Sequence, residues 1–139
     1  MRCSEVKAKI VETIEGVTVD NAVGARDRLV YVDTGGREIQ GSPDRLLRVI
    51  LQTVPHRAPF LTLDAFLAEF GVDVHYVASK NVEDRVASDA EKINTELVQL
   101  HTTDNEIYSI EVTPGSVTET DGLMIAHTDC VVTYRLTGV

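Results

Sequence analysis

Residues 66–78 read FLAEFGVDVHYVA and carry a clear two-residue alternation. Apolar side chains occupy every second position: Phe66, Ala68, Phe70, Val72, Val74 and Tyr76. Polar residues, among them Glu69, Asp73 and His75, occupy positions between them. Because successive side chains of a strand point to opposite faces, this pattern predicts a long antiparallel strand with one face on the core and one in water.

The residues that follow, 81–100, read NVEDRVASDAEKINTELVQL and have the period of a helix instead. Their apolar members are spaced three and four positions apart: Val82, Val86, Ala90, Ile93, Leu97 and Leu100. Asn81 is a favourable N-cap, and Glu83 and Asp84 lie in the first turn, where the helix dipole favours negative charge. The spacing predicts a long amphipathic helix that covers the sheet with one apolar stripe.

A second amphipathic helix is predicted near the start of the chain, over residues 4–15. Its apolar positions repeat every four residues, at Val6, Ile10 and Ile14. Ser4 is a favourable N-cap, and Gly16 follows at the position where the helix would end. This helix is the second candidate for a layer over the sheet.

The region between the two helices gives weaker signals. Residues 28–33 are β-branched and aromatic, and with residues 38–40 they fit the two arms of a hairpin around a glycine turn. Residues 46–54 fit either a strand or a short helix, because their apolar positions follow neither period cleanly. Residues 55–59 begin and end with proline and are predicted to form a loop.

Two more strands are predicted after the long helix. Residues 101–105 form a loop, residues 106–113 a strand, residues 114–122 a polar loop, and residues 123–136 the last strand. The inward positions are Tyr108, Ile110 and Val112 on the first of these strands, and Met124, Ala126, Cys130, Val132, Tyr134 and Leu136 on the second.

The predicted order of elements is helix, hairpin, strand, long strand, long helix, strand and long strand. Strands joined by short loops pair as antiparallel neighbours, and two amphipathic helices can cover one face of the resulting sheet. The sequence therefore predicts an α+β two-layer sandwich with a mainly antiparallel sheet. Its length fits a single domain over residues 1–139.

The chain is acidic, with 22 Asp and Glu residues, 13 Lys and Arg residues and a net charge of −9. Such a surface repels phosphate backbones, so we expect no sequence-specific nucleic-acid binding.

No apolar run approaches the ~18 residues of a membrane-spanning helix. The first residues lack the apolar stretch of a signal peptide, which favours a protein that stays where it is made or leaves within a larger assembly. Many acids with few lysines fit a high-salt host and ordinary acidity equally well.

Two short patterns of His and Asp are the strongest candidates for chemistry. Asp73 and His75 lie two apart on one predicted strand, as do His127 and Asp129 on another, so each pair shares a strand face. Each pair offers only two ligands, and both pairs lie on the polar face of their strands. We therefore interpret them as solvent-exposed surface residues rather than as a metal site. Cys130 lies on the apolar parity, opposite His127, which favours a place in the core.

Known catalytic motifs are absent from the sequence. It contains no phosphate-binding loop, nucleophile elbow or HExxH motif, so we predict no enzymatic activity, no metal and no cofactor. The two cysteines, Cys3 and Cys130, are predicted to remain unpaired, because nothing points to export and the core is large enough without a disulfide.

Along nearly its whole length the chain resembles the tail-terminator, or tail-completion, proteins of long-tailed viruses. Those proteins are domains of similar size that begin with an amphipathic helix, as residues 4–15 do here. A long alternating strand then runs directly into a long helix, as in FLAEFGVDVHYVA followed by NVEDRVASDAEKI. They end on a strand of the form CVVTYRL, found here at residues 130–136 after a polar loop.

The resemblance implies a structural virion protein made in the host cytoplasm. It implies a ring, commonly of six copies, at the head–tail junction, which caps the tail tube and joins it to the head connector. The partners are then copies of the chain itself, the tail tube protein and the connector protein. Another head–tail connector, head-completion or baseplate component remains an alternative. An alternative of a different class is a small soluble enzyme or ligand-binding domain without a recognisable motif.

A ring subunit needs surfaces that contact its neighbours, and loops and sheet edges are the natural candidates. Two polar segments that the sequence places outside the core supply the predicted contacts. They are the hairpin tip at Asp33, Gly36 and Arg37, and the polar loop at Ser116, Glu119 and Asp121.

Overall fold

The computed structural model describes residues 1–16, 29–31, 45–58, 64–77 and 82–138. These residues form the elements α1 (Cys3–Glu15), β1 (Leu29–Tyr31), β2 (Arg45–Arg57), β3 (Ala65–Val77), α2 (Val82–Val98), α3 (Leu100–Thr103), β4 (Ile107–Thr120) and β5 (Leu123–Arg135). The five strands form one sheet in the order β1-β2-β3-β5-β4, with the helices packed on one face. The predicted α+β two-layer sandwich is confirmed.

The sheet is antiparallel except for its first strand. β3 pairs with β2 on one side and with β5 on the other, and β4 completes the far edge beside β5. β1 runs parallel to β2 and pairs only with its first three residues, from Arg45 to Leu47. Beyond Leu47, β2 has no outer neighbour within the described residues. Among the described residues, most of β2 and the whole of β4 are therefore sheet edges.

The core lies between the helices and one face of the sheet. The alternating face of β3 is buried as predicted, and its fully buried positions include Ala68, Phe70 and Val72. α1 packs on the same side of the sheet, next to α2, β1 and β2, through Val6, Ile10 and Ile14. The remaining core positions from the sheet include Leu47, Val49, Val74, Tyr76, Cys130, Val132 and Tyr134. We call the opposite face, which carries Glu69, Asp73 and His75, the open face, since no described helix packs on it.

α1 confirms the prediction of the first helix and corrects its N-cap. The helix begins at Cys3, and Arg2 rather than Ser4 occupies the N-cap. The Arg2 backbone N–H lies 3.4 Å from the Glu5 carboxylate, which satisfies a donor at the helix start. The helix ends before Gly16, as predicted, where the Gly16 N–H donates to the Glu12 carbonyl at 3.0 Å.

α2 confirms the long helix but changes one position of its buried stripe. Asp89, which is 2% exposed, takes the place predicted for Ala90, and Ala90 is exposed. The other stripe positions are buried: Val82, Val86, Ile93 and Leu97, with Leu100 buried in α3. The predicted loop at residues 101–105 is also wrong in part, because α3 continues the helical path to Thr103. The predicted cap, Asn81, lies outside the described residues.

The ambiguous stretch at residues 46–54 is a strand, and it is longer than predicted. β2 continues through Pro55 to Arg57, so the predicted loop at residues 55–59 is wrong over its first three residues. Proline is tolerated here because the outer side of β2 is an edge and needs no ladder donor. Of the predicted hairpin, only β1 is described, and residues 38–40 lie outside the described part.

β4 is the largest departure from the sequence-based prediction. Residues 114–120, predicted to be a polar loop, continue the strand, and only Asp121 and Gly122 form a turn before β5. A break in the pairing register between Pro114 and Val117 accommodates the proline and glycine as a bulge. A second register shift, between Ile107 and Ser109, leaves Tyr108 40% exposed, so its predicted inward position is wrong.

Candidate functional site

The predicted contact residues of the second segment lie on a long β-hairpin rather than on a loop. Ser116 and Glu119 belong to β4, Asp121 belongs to the tight turn, and all three side chains are exposed. The segment of Asp33, Gly36 and Arg37 lies outside the described residues. The hairpin orders its exposed residues along a strand, so it presents a defined surface in place of the predicted projecting loop.

The turn of this hairpin contains only two residues, Asp121 and Gly122, and both adopt the backbone conformation that a tight turn requires. Asp121 and Gly122 have φ angles of 49° and 77°, both in the left-handed region. A two-residue turn with positive φ at both positions matches the twist of antiparallel strands, and Asp-Gly is a preferred pair for it. The dipeptide at residues 121–122 was the available signal for a hairpin, but the preceding Pro114 and Gly115 favoured a loop.

The outer half of β4 is an uncovered edge. Every residue from 113 to 120 is exposed, although the strand pairs with β5 along this length. Val117 is 54% exposed, and the charged residues of the strand, Glu111 and Glu119, form no ion pair in the described part of the chain. An edge strand with open backbone groups and an exposed apolar side chain is a natural place for another chain to dock.

Within the described residues, β2 forms a second uncovered edge on the other side of the sheet, over residues 48–57, which we call the outer part of β2. Leu51 is 41% exposed and Val54 is 80% exposed, so neither is covered by the helical layer. Arg48 and Arg57 are also exposed, and neither forms an ion pair within the ranges that the structure describes. The two edges therefore share exposed apolar groups but carry charges of opposite sign.

The open face brings together Asp73, His127 and Asp129. The sequence placed these residues in two separate pairs, but the pairing of β3 with β5 sets Asp73 directly beside His127. His127 Nδ1 lies 2.5 Å from Asp73 Oδ1, and His127 Nε2 lies 2.8 Å from Asp129 Oδ1. His75 pairs across the strand with Ile125 instead and is not part of this cluster.

The two carboxylates favour the protonated imidazole. Neutral histidine has one N–H, so only the charged ring donates to both carboxylates at once. The hydrogen bond to Asp73 raises the pKa of His127 above its ordinary value, the hydrogen bond to Asp129 and both negative charges add to the rise, and partial burial opposes it. The His127 side chain is 31% exposed, so the imidazole between these two carboxylates stays in contact with solvent.

Two glycines make room for the imidazole ring. A Cβ atom at Gly71 would lie 3.1 Å from His127 Cε1 and 2.5 Å from Gln52 Nε2. A Cβ atom at Gly115 would lie 2.7 Å from the His127 carbonyl oxygen and 2.9 Å from Cδ2 of its ring. The bulge of β4 and the glycine of β3 thus allow the ring to lie close to the sheet, between its two carboxylates.

The geometry restricts what this cluster can do chemically. Both ring nitrogens face carboxylate oxygens, so neither is directed towards a substrate as a general base would be. Within the described residues, no group of three or more His, Cys, Asp or Glu side chains is arranged to hold a metal ion. Glu69, the other acid on this strand face, accepts a hydrogen bond from Thr53 Oγ1 at 2.8 Å.

A second polar cluster is buried beneath α2 and was not foreseen from the sequence. Arg45 Nη1 lies 2.6 Å from Asp89 Oδ2, and the Tyr76 hydroxyl donates to the same oxygen at 2.9 Å. All three residues are at most 2% exposed. Burial raises the pKa of Tyr76 far above its ordinary value, and the charge of Asp89 and the hydrogen bond to it add to the rise. The cluster joins β2, β3 and α2, so its evident effect is to fix α2 on the sheet.

The two cysteines are free thiols with different surroundings. Cys130 is fully buried, which confirms its predicted place in the core, and burial raises the pKa of its thiol to about 12. Cys3 is half-buried against Tyr134, and burial raises its pKa as well. A low pKa marks reactive cysteines, so neither residue has the character of a nucleophile.

Comparison of the sequence with protein-family models finds no family that matches, and a search of curated proteins finds no match either. None of the described helices is long and apolar enough to cross a membrane.

Proposed function

We propose that this chain is a structural protein of a virion, which forms a ring at the head-proximal end of a long tail. In this role it caps the tail tube and joins it to the head connector. The ring is a homo-oligomer, with six copies as the expected number from the resemblance to tail-terminator proteins. The order of helix, strands, long helix and terminal hairpin, spread over a single sheet, supports this proposal.

The observation that carries the proposal is the pair of uncovered edges on opposite sides of the sheet. A ring subunit must present one surface to the neighbour before it and a different surface to the neighbour after it. In the described part of the chain, residues 113–120 of β4 and the outer part of β2, residues 48–57, are two such surfaces, and each has exposed apolar side chains. Monomeric proteins normally protect sheet edges, which makes two long uncovered edges in so small a domain significant.

The polar clusters support a structural role over an enzymatic one. The Arg45–Asp89 ion pair is buried, and Asp89 also accepts a hydrogen bond from the Tyr76 hydroxyl of the same chain. On the open face, His127 directs both nitrogens to neighbouring carboxylates. In both clusters the named polar side chains contact one another, whereas the sheet edges, within the described residues, have backbone groups available for a partner.

The test is removal of the protein from the virus that encodes it. A tail terminator stops tube growth and permits joining, so its loss should leave unjoined heads and tails of irregular length in electron micrographs. A virus that carries Glu91→Lys, an exposed change on α2, is the control and should assemble normally. Normal tails joined to heads in the absence of the protein would contradict the proposal.

A further inference from the structure

The two uncovered edges of the sheet have opposite charge. β2 contains three arginines and one histidine between Arg45 and Arg57, and it contains no acidic residue. β4 contains two glutamates between Ile107 and Thr120 and no basic residue, and Asp121 follows in the turn. This separation is notable in a chain of net charge −9, where acids outnumber bases nearly everywhere else.

The charges on these edges are available for a partner. Arg45 is buried against Asp89, but Arg48 and Arg57 lie beyond the reach of β1 and are exposed. Glu111 and Glu119 are exposed on the far edge. No ion pair within the described ranges involves these four side chains.

We infer that copies of this chain associate head to tail, with the basic outer edge of β2 in one copy against the acidic outer edge of β4 in the next. Val54 and Val117, which are 80% and 54% exposed, would then supply the apolar part of the contact. This inference deepens the proposed function, since it rests on self-association and names the surfaces that achieve it. Complementary charge at such an interface selects the correct edge and rejects the pairing of two like edges.

The interruptions of β4 favour a limited contact over an open-ended fibre. Pro114 lacks a backbone donor, and the bulge between Pro114 and Val117 breaks the regular ladder. Such features restrict how far a second strand can pair along an edge. A short contact between two different surfaces closes into a ring when the rotation per copy permits it.

The test uses two charge-reversal variants of the full chain, with mass in solution measured by light scattering and native mass spectrometry. The β2 variant is Arg48→Glu/Arg57→Glu, and the β4 variant is Glu111→Lys/Glu119→Lys. We expect each variant alone to lose the multimer of the wild-type chain. Mixed in equal amounts, each basic edge again meets an acidic edge, so multimers should reform with an even number of copies and a one-to-one composition.

The net charges of the variants separate specific pairing from general repulsion. Two Arg→Glu changes shift the charge from −9 to −13, whereas two Glu→Lys changes shift it from −9 to −5. General repulsion would therefore strengthen association of the β4 variant, and edge pairing predicts its loss. Glu91→Lys/Glu96→Lys, on the exposed side of α2, gives the same shift to −5 and should keep the wild-type mass.

Folding of each variant is verified by circular dichroism, and Arg57→Glu and Glu119→Lys as single changes replace any double variant that fails to fold. If both variants keep the wild-type mass, or if the mixture stays dissociated, the inferred surfaces are wrong while the proposed ring stands. If the wild-type chain is itself monomeric, the inference and the ring fail together. Wild-type tails in the virus lacking the protein would overturn the proposed function alone.

Discussion

The two polar clusters of this chain use similar groups in different surroundings. Beneath α2, Asp89 contacts Arg45 where both side chains are at most 3% exposed. On the open face, His127 contacts Asp73 and Asp129, whose side chains are 22% and 47% exposed. An ion pair in water contributes little to stability, whereas a buried charge that loses its partner is costly. The ion pair of Asp89 is therefore required for stability, whereas those of His127 contribute little to it.

Removal of one carboxylate from each cluster should produce the largest difference in stability between them. Asp89→Ala removes the buried carboxylate that contacts the guanidinium of Arg45, and we expect a loss of about 3–5 kcal/mol in the free energy of unfolding. Asp129→Ala, the matched change on the open face, should cost at most about 1 kcal/mol. Urea denaturation followed by circular dichroism measures both, and equal losses would contradict the distinction.

The buried apolar residues of α2 belong to the core that joins this helix to the sheet. Leu97 is fully buried and Ile93 is 5% exposed, so Leu97→Ala or Ile93→Ala should cost about 2–5 kcal/mol. Val98, the next residue on the helix, is 38% exposed, and Val98→Ala should stay within about 0.5 kcal/mol of wild type. A loss below about 1 kcal/mol for Leu97→Ala would show that α2 does not cover the sheet as described.

A single hydroxyl group distinguishes the buried cluster from a simple ion pair. Tyr76→Phe removes the donor that lies 2.9 Å from Asp89 Oδ2 without changing the packing of the ring. Because hydrogen bonds to charged groups contribute about 1.5–3 kcal/mol, we expect a loss in that range from thermal or urea denaturation. The control is Tyr108→Phe at a 40% exposed position, and a cost as small as that of the control would mean that Asp89 does not depend on Tyr76.

The open-face cluster should give stability a weak dependence on pH. The pKa of His127 is raised in the folded chain, chiefly by the hydrogen bond to Asp73. Its contribution is therefore complete below the unfolded value of ~6.5 and is lost as the pH rises through the folded pKa. We expect this loss to remain below about 1 kcal/mol, because the partners are partly exposed.

The variant His127→Gln separates the contribution of His127 to the pH dependence of stability from that of the other histidines. The difference in free energy of unfolding between wild type and variant should shrink as the pH rises from about 6 to about 9. About 1 M sodium chloride should reduce the difference further, since salt screens exposed charges. A difference that stays constant with pH would show that His127 is not held as a cation by its carboxylates.

Local periodicity was sufficient for most of the fold but could not choose between Asp89 and Ala90. Both lie three or four positions from Val86, so both satisfy the helical stripe, and hydrophobicity favoured Ala90. Arg45 reverses that preference, because it supplies a buried positive charge from a strand 44 residues away. No local pattern contains this information, since the partner comes from tertiary pairing.

The candidate surfaces show the same limit. The parity of each strand correctly placed Asp73 and His127 on the face away from the core, but only the register of β3 and β5 makes them neighbours. At residues 114–120, proline, glycine and serine outweighed the strand signal. Residues 114–120 form a strand because they pair with β5, whose apolar side chains alternate, and because the Asp121–Gly122 turn brings the two strands together. This pairing cannot be read from residues 114–120 alone.

We propose that this chain works as one subunit of a closed ring. The mass of the purified wild-type chain, measured by native mass spectrometry and sedimentation over a series of dilutions, tests this proposal. A closed ring predicts one dominant multiple of the 15.3 kDa chain, which persists on dilution and does not grow at high concentration. A monomer at every concentration, or an open ladder of ever larger species, would contradict it.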